Sequence, residues 1–198
     1  MILPVSHVPF RLIAWPHYVG LFLLSFATLL LELSLTRVLA VANWYHFGFL
    51  VISTALLGFG AAGVVLSLWS GLRNTLELGR TLAAISLGFG MSTVLGYVAM
   101  QWIPFRPFEM LNDWSQLGYS LLYYCVLAFP FFFAGLGISL LLARGRREVN
   151  RLYAVDLIGA GVGCVAIWGV MPTFGGTGTV MLAGAIGLVS GLAFLRFR

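Results

Sequence analysis

Six runs of mostly apolar residues, separated by short polar connections, occupy almost the whole chain: 18–41, 47–69, 81–103, 117–143, 152–171 and 177–195. Each is near the ~20 residues that a helix needs to cross a bilayer. Stretches such as Leu29-Leu30-Leu31 and Phe131-Phe132-Phe133 lack the alternation of a lipid-facing barrel strand. The pattern therefore predicts an all-α polytopic membrane protein, a single bundle of six transmembrane helices. Pro130 falls inside the fourth run, where it removes one helical hydrogen bond and predicts a kink. The longest connection, 104–116, reads either as an amphipathic segment at the interface or as a tether.

Composition strengthens this picture. The 198 residues are 61% hydrophobic and 9% charged, with a mean hydropathy of +1.01. A soluble domain is about 25% charged, and no water-soluble globule of this size hides so much apolar surface. The net charge of +5 comes from eleven arginines and no lysine. They are scattered between apolar runs, so nucleic acid is not the expected partner; the lipid bilayer is. With six crossings, nine of the eleven fall on one side: Arg11, Arg73, Arg80, Arg144, Arg146, Arg147, Arg151, Arg196 and Arg198. The positive-inside rule then puts both termini in the cytoplasm, which fits a bacterial inner membrane. Trp15, Trp44, Trp69, Trp102, Trp114 and Trp168 all lie near expected span ends, where interfacial aromatics sit. The first run is too long, and too interrupted by Glu32 and Arg37, for a cleaved signal peptide.

Small residues recur at helical spacing. Gly159 with Gly163, and Gly187 with Gly191, form Gly-x-x-x-Gly pairs that let helix backbones approach closely in lipid. The stretch Gly159-Ala160-Gly161-Val162-Gly163-Cys164 is not a dinucleotide loop, because it lies inside a membrane run and ends in Cys. Cys125 and Cys164 read as small buried hydrophobes. No cofactor and no metal site is expected from three histidines and six acids.

The polar residues inside the runs are the candidates for function. A charge at a span centre costs about 2.5–3.5 kcal/mol on insertion scales, so Glu32 needs a reason. Arg37 follows five residues later, roughly 140° around the helix, so an intrahelical salt bridge is not expected. Asn43, Tyr45 and His46 are the candidate partners. The cluster reads either as a polar pocket for a small cationic or polar ligand or as a buried pair that fixes helix register. Asp156 reads as a first-turn acid on the fifth span, or, with Arg151 and Tyr153, as a contact for a cytoplasmic partner. The basic connection 144–151 reads as a topology determinant or as a patch for anionic headgroups.

Three stretches carry a family resemblance. Ser25 to Arg37, containing Glu32 and Arg37, resembles the first membrane helix of spermidine synthase-like integral membrane proteins. Trp44-Tyr45-His46-Phe47 with Leu56-Leu57-Gly58-Phe59-Gly60, and Arg151 to Ala160 with Asp156, resemble later helices of the same group. The resemblance implies a membrane domain that precedes a cytoplasmic aminopropyltransferase-like domain. The residues through Arg198 hold no soluble nucleotide loop and no acidic diamine site, so no catalytic residue is assigned. Three functions follow as expectations: a non-catalytic anchor or scaffold, a small-cation or polyamine carrier using Glu32, and an accessory subunit packed among other membrane subunits.

Overall fold

The computed structural model describes residues 14–43, 46–69, 71, 77–104 and 115–196, without the side chains of 42, 43, 46 and 47. These residues form five helical elements and no strand. They are α1 (Trp15–Asn43), α2 (His46–Leu68), α3 (Leu78–Trp102), α4 (Ser115–Arg144) and α5 (Val149–Leu195). All five are long and apolar enough to cross a membrane, which supports an integral membrane protein. The 29 residues of α1 correspond to about 43 Å of helix, the thickness of a bilayer with its headgroups.

The count of elements differs from the six expected. The 47 residues of α5 would be about 70 Å long if straight, far more than a bilayer. They are not straight. Gly175 has φ 69° and ψ 178°, a region open essentially only to glycine. Pro172, just before it, has no N–H to give the Trp168 carbonyl. The chain reverses at this point. Near residue 149, Glu148 touches Tyr18 at the start of α1, while Gly176, beyond the break, meets Val38 near the other end of α1. Ser190 then returns to Gly20. Segments 149–174 and 176–195 thus run antiparallel, both against α1.

The elements close into a ring of neighbours: α1 packs on α2 and α5, α5 on α3, α3 on α4, and α4 on α2. Leu21, Leu24, Leu30 and Leu31 of α1 are buried among them with Phe89, Phe131 and Phe194. Glycines set how near the helices come. A Cβ on Gly163 would stand 2.6 Å from the Phe26 carbonyl oxygen, closer than atoms tolerate, so α1 and the first segment of α5 touch backbone to backbone. Gly187 and Gly191 seat the second segment on Phe89 and Ala83 of α3. Gly135 of α4 likewise meets Phe59 and Ala62 of α2. Pro130 is buried within α4, which continues through it.

Buried hydroxyls are mostly satisfied locally, as apolar surroundings require. Thr28 donates to the Leu24 carbonyl at 2.7 Å, Thr93 to Phe89 at 2.8 Å and Thr179 to Gly175 at 2.6 Å. The lipid-facing side is apolar; Leu56, Leu121, Val165 and Leu192 are exposed there. Trp15, Trp69, Trp102 and Trp168 are exposed as well. Cys125 and Cys164 are free thiols within apolar helices; Cys125 is exposed on the helix surface and Cys164 half-buried.

Candidate functional site

The acidic side chains of α1 and of the start of α5 gather on the seam between these elements, with hydroxyls beside them. Tyr18, Ser25 and Glu32 are spaced by seven residues. Seven residues return a helix to within about 20° of the same direction, so the three form one stripe. The first two have partners at the start of α5 or within it. The Tyr18 hydroxyl donates to Glu148 Oε2. The Ser25 hydroxyl donates to Asp156 Oδ1 at 2.5 Å, with Ser25 itself 1% exposed. Ser190 of the returning segment adds a hydroxyl bond to the Gly20 carbonyl at 2.8 Å. Tyr97 of α3 and Thr177, just past the break, share a hydroxyl–hydroxyl bond of 2.8 Å.

Asp156 is therefore not where the sequence placed it. Helix α5 begins at Val149, so Asp156 lies two turns inside and α5 has no acid in its first turn. The start moves earlier because Val149, Asn150 and Arg151 join the helix, with the Arg151 and Leu152 N–H groups bonded to the Glu148 carbonyl at 2.9 and 3.0 Å. The expected partner-binding trio also divides. Arg151 and Tyr153 are exposed, whereas Asp156 is half-buried and turned to Ser25.

The far end of the seam is different. Glu32 is half-buried, and its carboxylate has no hydrogen-bond or ion-pair partner among the described residues. Arg37 is exposed and forms no ion pair with Glu32; its guanidinium lies over the Trp168 ring, 5.5 Å from the centroid. Arg37, Trp168, Ile167, Met171 and Pro172 line an open cleft of ≈ 200 Å³ beside the break in α5. The side chains of Asn43, Tyr45 and His46, the expected partners of this pair, lie outside the described residues, as do Arg11, Arg73, Arg106, Arg198, Trp44, Trp114 and most of the 104–116 connection.

No group of three His, Cys, Asp or Glu side chains among the described residues can hold a metal ion. A second cavity, lined by Leu31, Leu35, Thr93, Tyr97, Val126 and Pro130 among others, is only ≈ 10 Å³, about one water-probe sphere. The seam can thus lock two helices in register, and its open end can meet one polar group of an amphiphile. Sequence reasoning missed Tyr18, Ser25, Glu148 and the role of Trp168. The seven-residue spacing from Tyr18 to Glu32 was the available signal. Comparison of the chain with protein-family models, curated proteins and solved structures finds no match.

Proposed function

We propose that the chain is a non-catalytic membrane anchor or scaffold that crosses the bilayer six times with both ends in the cytoplasm. The observation that carries this is the clamping of α1 between the two antiparallel segments of α5. Buried hydroxyl bonds and glycine-to-backbone contacts fix that arrangement. A substrate path needs room, and small-molecule pockets occupy about 300–1,000 Å³. The cavity between α1, α3 and α4 holds ≈ 10 Å³. The segments 149–174 and 176–195 count as separate crossings because the chain reverses at Gly175. Arg80, Arg144, Arg146, Arg147, Arg151 and Arg196 belong to the end where Tyr18 meets Glu148 and Gly79 meets Phe194. The positive-inside rule assigns that end to the cytoplasm.

The likeness of the Glu32, Arg37 and Asp156 stretches to spermidine synthase-like membrane proteins suggests what is anchored: a cytoplasmic aminopropyltransferase-like domain. The test is gentle purification of the native protein, with intact mass and identification of what accompanies it. The expected result is a soluble enzyme domain, either covalently continuous or co-purifying. A lone chain with no soluble companion overturns the proposal.

One observation favours a carrier for a small cation such as a polyamine instead. The stripe Tyr18, Ser25 and Glu32 brings Glu148, Asp156 and Glu32 onto one seam. On this reading Glu32→Gln abolishes polyamine uptake into proteoliposomes; uptake unchanged by the substitution removes it.

A further inference from the structure

The cleft at the break in α5 combines features that the clamped end of the seam lacks. Arg37 presents five N–H donors, and among the described residues no carboxylate accepts from them; only the Trp168 ring faces the guanidinium. A stacked guanidinium keeps its donor edge free for an oxyanion. The walls of the cleft, Ile167, Met171 and Pro172, are apolar. Pro172 has no N–H, so the Trp168 carbonyl lacks its usual helical donor. The site thus brings a cation from α1 beside an apolar slot and a carbonyl lacking its usual donor on one turn of α5.

Depth narrows the occupant. Helix α1 is about 43 Å long and Arg37 is six residues, about 9 Å, from its end at Asn43. A hydrocarbon core of about 30 Å centred on α1 would leave roughly 7 Å of helix at each end. Arg37 then lies at the boundary between acyl chains and headgroups, where lipid phosphates are the abundant anions. Volume narrows it further. A cleft of ≈ 200 Å³ falls short of the roughly 300–1,000 Å³ that encloses a whole small ligand. It holds part of a molecule whose remainder stays in the bilayer.

We propose that Arg37 and the Trp168–Pro172 turn of α5 form a binding site for a single phospholipid. The phosphate accepts from the Arg37 guanidinium, a headgroup hydroxyl or ammonium donates toward the Trp168 carbonyl, and the upper acyl chain lies along Ile167 and Met171. The site depends neither on which side of the membrane this end faces nor on what the chain anchors.

Native mass spectrometry of the delipidated full chain in detergent tests this. The probes are phosphatidylglycerol, a diacylglycerol with the same chains, and inorganic phosphate. Phosphatidylglycerol should remain bound as one adduct, bind about tenfold or more tightly than the diacylglycerol, and resist displacement by millimolar phosphate. Arg37→Gln should erase that preference. Met171→Trp, which fills the slot and leaves the charge, should weaken phosphatidylglycerol binding by a similar factor. If the glutamine variant does not fold, the tryptophan variant decides. Equal binding of both lipids, displacement by phosphate, or unchanged binding in the folded variants overturns the site.

Discussion

The two ends of the α1–α5 seam are built from the same kinds of residue and behave as opposites. At the end that starts α1, Tyr18 is met by Glu148, just before α5, and Ser25 and Gly20 are met by Asp156 and Ser190 of α5. At the other end, Glu32 has no partner among the described residues, Arg37 has only an aromatic face, and the helix opposite is broken at Gly175. In an apolar medium a satisfied polar pair holds helices together, while an unpaired one is costly. The closed end is a structural lock, and the open end is where the proposed lipid would sit. A uniform seam would have permitted either interpretation throughout.

The comparison breaks first, and with the largest effect, at the glycine contacts. Gly163→Val places methyl groups where the Phe26 carbonyl already stands, and backbone cannot yield as a flexible side chain would. Destabilisation of about 3 kcal/mol is expected, read as loss of the folded fraction in reversible unfolding from detergent micelles. A valine variant as stable as the parent would mean that α1 and α5 are not in backbone contact.

The next effect comes from the buried pair. Ser25→Ala leaves the Asp156 carboxylate without its donor and should cost about 1–3 kcal/mol. A double-mutant cycle with Asp156→Asn separates coupling from loss of either side chain, and the coupling should exceed about 0.5 kcal/mol. Additive single and double variants would place the two residues apart and erase the distinction between the ends.

The smallest effect belongs to the open end. Gly175→Ala introduces a Cβ where nothing lies within 4 Å, so its cost is backbone strain alone, about 1–2 kcal/mol from a φ of 69° that alanine avoids. The same unfolding assay measures it. A neutral result would show that the turn can adopt another conformation and that the reversal does not depend on this glycine.

Much of the architecture was legible from the hydrophobic pattern, because a helix in lipid must be long, apolar and internally hydrogen-bonded. The Gly159/Gly163 and Gly187/Gly191 pairs were equally plain, since only small residues permit close backbones. The break was legible in position, between Met171 and Thr177, but its form was not. Whether Pro172 and Gly175 give a loop or a single glycine hinge depends on how Gly176 seats against Val38, a contact across the fold. The polar pairs were least legible. Ser25 is an ordinary residue in an apolar run until Asp156 is placed opposite it. Asp156 looked like a helix-start acid because the polar stretch before it looked like a loop. Trp168 was read as a belt residue, and only the geometry of Arg37 gave it a second role.

The bond between Ser25 and Asp156 spans 131 residues of chain, which sets a timetable. At a synthesis rate of about 5–20 residues per second, α1 waits roughly 7–26 s before Asp156 has been made, and Gly20 waits longer still for Ser190. Through that interval α1 is a complete apolar helix whose final neighbours have not yet emerged. Its leucines are at ease in lipid at once, but Glu32 must be tolerated beside acyl chains from the start. Closure of the seam is therefore a late event relative to the synthesis of α1, waiting until α5 has been made and folds back over it.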